Sequence, residues 1–179
     1  MRRFLTVVCF ISLCAIPSLA GKKASRPPAM TDQQFVEFAG QTDMTDANLA
    51  QLAQTAAESQ PVKKFAQELV VDRTSDFQRL SDVAHKASLS MPSAIDAEHN
   101  RAIIEPFHKI RGTGFDRRFM EEMVARQFRA IAVYKKEAAD AQSPALRSYA
   151  EGDLLILHGH LVDAKNIEKV KPRGNKRQG

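Results

Sequence analysis

The stretch VKKFAQELVVDRTSDFQRLSDVA, residues 62–84, decides the fold class because its apolar residues recur at steps of three and four. This spacing places them on one face of an α-helix. A single polar residue, Arg73, interrupts that face in the middle. The apolar members are Val62, Ala66, Leu69, Phe77, Leu80 and Ala84. Residues 62–84 therefore predict a long amphipathic helix that carries a cation on its inward side.

Three other stretches repeat this pattern, and polar residues interrupt each of them. Asp46 does so in the first stretch, Gln127 in the third, and Asp153 and His160 in the fourth. If neighbouring helices pair antiparallel, Asp46, Arg73, Gln127 and His160 fall at one level, to within about one helical turn. The sequence therefore predicts an all-α, antiparallel four-helix bundle with a polar layer in its core. Bundles build ligand and metal sites from such inward side chains.

Capping residues mark where the predicted helices begin. Thr31 is followed by Gln34, and Thr113 by Asp116, and both pairs have the three-residue spacing of a capping box. They predict the starts of the first and third long helices. A serine followed by a proline at residues 143–144 predicts the start of the fourth.

Two further features modify the bundle. Residues 94–105 predict a short extra helix in the crossover between the second and third long helices, and Pro106 ends it. Gly152 and Gly159 lie within the fourth helix, where each lowers helix stability by about 1 kcal/mol relative to alanine. Glycine at that cost predicts the close approach of another backbone.

The first twenty residues have the pattern of a secretory signal peptide. Arg2 and Arg3 precede an apolar run over residues 4–16, and small residues then lead to a predicted cleavage after Ala20. The run is shorter than the roughly 20 apolar residues that a membrane span needs. We therefore expect a periplasmic or secreted protein that is not transmembrane after cleavage.

The mature chain would contain no thiol, because both cysteines, Cys9 and Cys14, fall in the predicted signal peptide. Disulfides, zinc–thiolate sites and cysteine nucleophiles are then excluded together. Residues 21–30 are expected to form a flexible linker, residues 31–168 the bundle, and residues 169–179 a basic disordered tail.

Charge is divided between the bundle and the chain ends. The formal net charge is +5, but ten basic residues lie in residues 1–26 and 169–179. Without them, 16 of the 26 basic residues remain against all 21 acidic ones. The tail predicts attachment to an anionic envelope surface, worth about 1 kcal/mol for each basic residue near it, whereas export makes nucleic acid an unexpected partner. Its basic residues are Lys169, Lys171, Arg173, Lys176 and Arg177.

Several pieces of the chain match one family in order and spacing. They are Val62-Lys63-Lys64-Phe65-Ala66 leading to Leu69-Val70-Val71-Asp72, Phe115-Asp116-Arg117-Arg118-Phe119, and the run from Leu154 to Leu161 that contains His160. Together they resemble the bacterial exported family catalogued as domain of unknown function 4142, over roughly residues 32–164. The resemblance implies a ferritin-like helix bundle in the periplasm or at the outer membrane.

The family pattern also implies a core ligand set from which this chain departs. It favours glutamate at the position of Asp46 and histidine at the positions of Arg73 and Gln127, so that His160 alone is retained. An arginine cannot deprotonate in a protein and cannot coordinate a metal. The simplest interpretation is a buried Asp46–Arg73 ion pair whose hydrogen bonds Gln127 and His160 complete. The alternative is a first-row divalent metal held by Asp46, Asp153 and His160.

The sequence offers no catalytic motif. A ferritin-like di-iron oxidase needs Glu-x-x-His on two helices, and the one such spacing, Glu105 with His108, is interrupted by Pro106. We therefore expect no enzymatic activity and no cofactor. The expected role is that of a non-catalytic envelope scaffold or binding protein of unknown biochemical function. A divergent ferritin-like metal-binding protein with a core site around His160 is the alternative.

Overall fold

Five α-helices form the protein in the computed structural model, which describes residues 30–169. The predicted signal peptide, nearly all of the linker and the tail beyond Lys169 lie outside these residues. The all-α prediction is confirmed. The helices are α1 (Asp32–Ala56), α2 (Gln60–Lys86), α3 (Ala97–His99), α4 (Gly112–Asp140) and α5 (Pro144–Lys169).

The four long helices are arranged as two hairpins. Helix α1 packs on α2 and α4 packs on α5, while α1 against α4 and α2 against α5 join the two hairpins. The α1–α2 and α4–α5 connections are short, so the helices of each hairpin run antiparallel. The crossover from α2 to α4 instead travels the length of the bundle and carries α3.

Each hairpin holds the turn of the other through one aspartate. The Asp32 carboxylate accepts hydrogen bonds from the backbone N–H groups of Gln142, at 3.0 Å, and Ser143, at 2.7 Å. The Asp116 carboxylate accepts from the backbone N–H groups of Glu58, at 3.0 Å, and Ser59, at 2.9 Å. These bonds satisfy backbone donors that would otherwise be left without a partner in the turns.

The capping predictions have different outcomes. The Thr31–Gln34 capping box is present, and the Leu146 N–H donates to Ser143 Oγ at 3.4 Å. The box predicted for Thr113 and Asp116 is wrong: α4 begins at Gly112, its N-cap Arg111 makes no side-chain cap, and the Thr113 N–H donates to Glu58 Oε2 at 3.1 Å. The reason is that the Asp116 carboxylate is engaged by the opposite hairpin.

The crossover is less regular than the single helix predicted over residues 94–105. After α3, which the Asp96 carboxylate caps, the chain makes a π-helical turn over Asn100–Ile104 and a 3₁₀ turn over Glu105–Phe107. Proline at residue 106 supplies no N–H to an α-helical ladder, which explains the change of helix type. Gln41 of α1 anchors this segment, donating to the Ala94 carbonyl at 3.0 Å and accepting from the Asp96 N–H at 3.1 Å.

The core consists of two apolar clusters with a polar layer between them. One lies towards the α1–α2 turn and contains a stacked pair of rings, Phe115 and Phe119, with centroids 5.7 Å apart. The other lies towards the α4–α5 turn, where the ring of Phe35 packs edge-on against Tyr134 with centroids 4.9 Å apart. The polar layer is therefore sealed from solvent on both sides along the bundle axis.

Candidate functional site

Arg73 of α2 lies at the centre of the polar layer, with a side chain that is 0% exposed. Its Nη1 atom lies 3.4 Å from Asp43 Oδ1 and 3.3 Å from Asp76 Oδ2. Its Nε atom lies 3.4 Å from Asp46 Oδ2, and its Nη2 donates to Gln127 Oε1 at 3.0 Å. The guanidinium is thus surrounded by three carboxylates and one amide, contributed by three helices.

Helix geometry accounts for this set. Asp43 and Asp46 are three residues apart on α1, and so are Arg73 and Asp76 on α2, so each pair projects from one face of its helix. Gln127 reaches the layer from α4. One long side chain on α2 therefore contacts two turns of α1 together with the diagonally opposite helix.

A second arginine binds Asp46 from the other side. Arg126 Nε donates to Asp46 Oδ1, while Gln127 Nε2 donates to Asp46 Oδ2 at 3.5 Å. Asp46 is fully buried and Arg126 is only 6% exposed. Asp46 therefore lies between two guanidinium groups, those of Arg73 and Arg126.

Arg79 extends the layer to α5. Its Nη2 atom donates to Asp153 Oδ1 at 2.6 Å and also to Asp76 Oδ1. The guanidinium lies over the ring of Tyr149, 5.7 Å from its centroid. Asp153 therefore belongs to the same network as Arg73, but it reaches Arg73 only through Arg79 and Asp76.

The network distributes charge unevenly among its carboxyl groups. Burial by itself would lower the pKa of Arg73, and the carboxylates of Asp46 and Asp43 raise that pKa above its ordinary value. Burial raises the pKa of Asp43 well above the usual aspartate range, against the opposing effect of Arg73. Burial, followed by the neighbouring Asp76, also raises the pKa of Asp153. The layer therefore holds a permanent cation, and two of the carboxyl groups in the layer, those of Asp43 and Asp153, have raised pKa values.

The structure places His160 away from this layer, which corrects the prediction that it shares a cluster with Asp46 and Gln127. His160 Nε2 forms a hydrogen bond with Asp72 Oδ2 at 2.8 Å, and its ring packs edge-on against Phe65. His160 is seven residues beyond Asp153, about 10 Å further along α5. Its partner Asp72 adjoins Arg73 in α2 but lies on another face of that helix, with a side chain that is 44% exposed.

His160 lines an open groove of about 390 Å³ between α2 and α5. The ring is 93% buried, since 7% of the residue is exposed, whereas 44% of the Asp72 side chain is exposed. Acidic and apolar side chains make up most of the remaining lining. The lining residues are Phe65, Gln67, Glu68, Val71, Asp72, His160 and Asp163.

Sequence reasoning missed half of the polar layer. Asp43, Asp76, Arg79 and Arg126 were not predicted, although Asp43 precedes Asp46 by three residues and Asp76 follows Arg73 by three. This three-residue spacing from a predicted inward residue was the signal that could have identified Asp43 and Asp76. The periodic stripe assigned the inward position to Phe77, but Asp76 is 1% exposed and occupies it.

The polar layer does not fit a metal ion. Over residues 30–169, no three histidine, cysteine, aspartate or glutamate side chains lie close enough together to hold one. Asp46, a predicted ligand, binds two arginines instead, and His160 forms its hydrogen bond with Asp72, outside the polar layer. A guanidinium, which offers no lone pair, occupies the centre of the carboxylate cluster. The arrangement can bury and balance charge, and it presents no nucleophile.

These features define a class of protein, an antiparallel helix bundle whose core is crossed by an arginine–aspartate layer. The chain belongs to the family described as "Domain of unknown function (DUF4142)", whose model matches residues 18–167. The predicted family is thereby confirmed. No curated protein matches the chain.

Three solved structures of similar fold are of one protein, CopM, in different metal-bound forms. "CopM in the Cu(II)-bound form" has a TM-score of 0.64 and 16% identity, covering 79% of this chain and 97% of that one. "CopM in the Ag-bound form (by co-crystallization)" has a TM-score of 0.62 and 18% identity, covering 76% and 93%. "CopM in the Cu(I)-bound form" has a TM-score of 0.59 and 16% identity, covering 76% and 94%. At these identities the likeness establishes the fold.

The described helices also bear on how the chain relates to a membrane. Along residues 30–169, none is both long and apolar enough to cross a bilayer. Lys169, the first of the predicted surface-binding residues, is exposed at the end of α5. Lys171, Arg173, Lys176 and Arg177 lie outside the described residues.

Proposed function

We propose that this chain is an exported, non-catalytic bundle protein of the bacterial envelope, a scaffold or binding protein whose core cation is Arg73 rather than a metal. One observation carries the proposal: the buried guanidinium lies within 3.4 Å of carboxylate oxygens of Asp43, Asp46 and Asp76. A metal in this layer would have to displace a group of the same charge sign that is covalently tethered there. The layer supports a packing role.

Metal analysis of the mature protein tests this proposal. The protein from Gly21 onward is purified, and its iron, manganese, zinc and copper contents are measured before and after treatment with a chelator. We expect substoichiometric metal and an unchanged midpoint of thermal unfolding, because a ligand that binds the folded state would raise that midpoint. One bound metal per chain, with a midpoint that falls on chelation, would contradict the proposal.

Export rests on the signal-peptide pattern of residues 1–20. The full chain, expressed in a bacterial host, is expected in the periplasmic fraction. Its mass should be that of a chain that begins at Gly21. Recovery of the uncleaved chain from the cytoplasm would contradict this part of the proposal. This outcome is independent of the metal analysis, which uses the mature protein.

A second candidate function is binding of a divalent first-row metal at the groove between α2 and α5. The His160–Asp72 pair carries it, because imidazole and carboxylate are ligands for Zn²⁺ and Cu²⁺. The Cu(II)-bound form of the similarly folded CopM supports a search for such binding. Asp163 and Glu68 line the same groove but form no three-ligand set with this pair within residues 30–169, so water would complete the coordination.

Titration with Cu²⁺ and Zn²⁺ tests the groove site, using His160→Ala, Asp72→Asn and the control His158→Ala. His158 is exposed on the same helix and lies outside the groove lining. Binding that is lost in the first two variants and kept in the control would establish the site. Binding that is absent, or equal in all variants, would exclude it.

We further propose that the basic tail attaches the acidic bundle to an anionic envelope surface. The residues concerned are Lys169, Lys171, Arg173, Lys176 and Arg177. Cosedimentation with vesicles that contain anionic phospholipid is expected at low salt and not at high salt. Deletion of residues 170–179 should abolish it. Equal binding by the truncated chain would show that the tail is not the attachment point.

A further inference from the structure

The outer face of α5 carries a stripe that nothing in the described chain covers. Gly152, Leu155, Gly159 and Val162 follow one another at steps of three, four and three, and all four are exposed. Leu155 is 81% exposed and Val162 is 56% exposed. The stripe therefore lies along the side of α5 that faces away from the bundle core.

The two glycines of this stripe have no packing role within residues 30–169. A Cβ atom built at Gly152 or at Gly159 would meet nothing within 4 Å. At Gly40, by contrast, a Cβ atom would lie 2.5 Å from Pro92 Cγ, so glycine is required there by the crossover. The close backbone approach predicted at Gly152 and Gly159 is therefore absent from the described fold, and alanine would suit the helix better.

The stripe continues as an apolar patch onto the neighbouring helix. Five large apolar side chains are exposed along residues 30–169, and Leu155 and Val162 are two of them. A third, Phe128 of α4, is 51% exposed and lies beside Lys165, whose Nζ is 4.2 Å from the ring centroid. Three of the five thus lie on or beside one side of the bundle, where a partner would cover them together.

The charges that flank the stripe identify the partner as a second copy of the chain. Glu151 and Lys165 are 14 residues apart and so lie on the same flank of α5, with His158 midway between them. In an antiparallel pair of α5 helices centred on His158, Glu151 lies opposite Lys165 of the partner subunit, and the same contact occurs twice. In a parallel two-fold pair this flank would face the opposite flank of the partner helix, so Glu151 and Lys165 would not meet across the interface.

We propose that the stripe Gly152, Leu155, Gly159 and Val162 is the interface of an antiparallel homodimer. The two-fold axis passes near His158, so the same patch serves both copies. Leu155 packs near Val162 of the partner subunit, and the glycines let the two backbones approach closely. The proposal is independent of whether any metal binds.

Sedimentation velocity of the mature protein at micromolar concentrations tests the dimer. Wild type is expected to dimerise, and Leu155→Glu and Gly159→Leu should each raise the dimer Kd by at least about tenfold. Circular dichroism checks that both remain helical, which is expected because both positions are exposed. Met30→Glu is the control, since Met30 is 38% exposed but precedes α1, and it should leave the dimer intact.

Charge reversal tests the antiparallel orientation. Glu151→Lys should weaken the dimer, and the double variant E151K/K165E should restore it, since the two contacts exchange their signs. A dimer that Glu151→Lys leaves unchanged or strengthens would overturn the proposed antiparallel arrangement. A wild-type monomer at about 100 μM, or a dimer unaffected by Leu155→Glu, would overturn the interface itself.

Discussion

The layer around Arg73 and the groove around His160 both join a basic side chain to an aspartate, and they differ in what surrounds the pair. The Arg73 side chain is 0% exposed and lies near three carboxylates, whereas the Asp72 side chain bound to His160 is 44% exposed. Water can replace the partner of Asp72 but cannot enter the layer. Similar contacts therefore differ in energetic importance, and a break in the layer costs far more.

Removing the central cation is expected to have the largest effect. Arg73→Met should lower the free energy of unfolding by about 3–5 kcal/mol, because Asp43 loses its cation and Asp46 and Asp76 each lose one of two. Arg73→Lys should lose less, yet still more than about 1 kcal/mol, since a compact ammonium cannot reach Asp43, Asp46 and Gln127 together. Urea denaturation at pH 7 measures both. An Arg73→Met variant within about 1 kcal/mol of wild type would show that the layer is energetically dispensable.

The two aspartates that α1 contributes should respond unequally. Asp46 accepts a hydrogen bond from Arg126 and lies 3.4 Å from Arg73 Nε, so Asp46→Asn should cost about 2–3 kcal/mol. Burial raises the pKa of Asp43 well above its ordinary value, which makes an uncharged amide a closer substitute there. Asp43→Asn should therefore cost less than about 1 kcal/mol in the same denaturation experiment. Equal losses would mean that both carboxyl groups contribute as full charges.

Glu137 shows how a buried carboxyl group behaves with fewer partners than Asp46. It is 3% exposed, and its Oε1 atom has no hydrogen-bond partner in the described chain. Burial, followed by Asp32 and Asp140, raises its pKa from 4.5 to about 7. The folded state therefore binds this proton more tightly than the unfolded chain does.

The Glu137 contribution to stability should be complete below pH 4.5 and lost as the pH rises through about 7. We expect a decline of about 2 kcal/mol over that interval, measured as the pH dependence of the free energy of unfolding. Glu137→Gln should flatten the profile over the same interval. An identical decline in this variant would assign it to other groups.

A smaller effect than at Arg73, Asp46 or Glu137 is expected at the groove. His160→Ala should cost about 1 kcal/mol through the lost hydrogen bond to Asp72 and the lost contact with Phe65, with or without a chelator. Thermal unfolding in the presence and absence of added Zn²⁺ measures this. A cost that appears only with the metal present would favour the second candidate function.

Much of this molecule follows from local patterns in the chain. Helix periodicity and capping residues such as Thr31 depend on neighbours within one or two turns, so the long helices and the start of α1 were predictable. The same periodicity placed Asp46, Arg73 and Gln127 on inward faces, and the structure brings these three together. The sequence therefore predicts those members of the candidate site that interrupt an apolar helix face as a single inward polar residue.

Tertiary structure alone decided which side chains meet. A periodic stripe specifies the face of a residue, but axial offset and crossing angle between helices determine its partner. Asp72 and Arg73 are consecutive in α2 and project about 100° apart, and the packing of α5 against α2 paired His160 with Asp72 rather than with Arg73. The Asp116 carboxylate likewise holds the opposite turn instead of capping its own helix. The sequence by itself determined the helices and the polarity of their inward faces, whereas the packing of two hairpins determined the contacts, because those contacts join residues far apart in the chain.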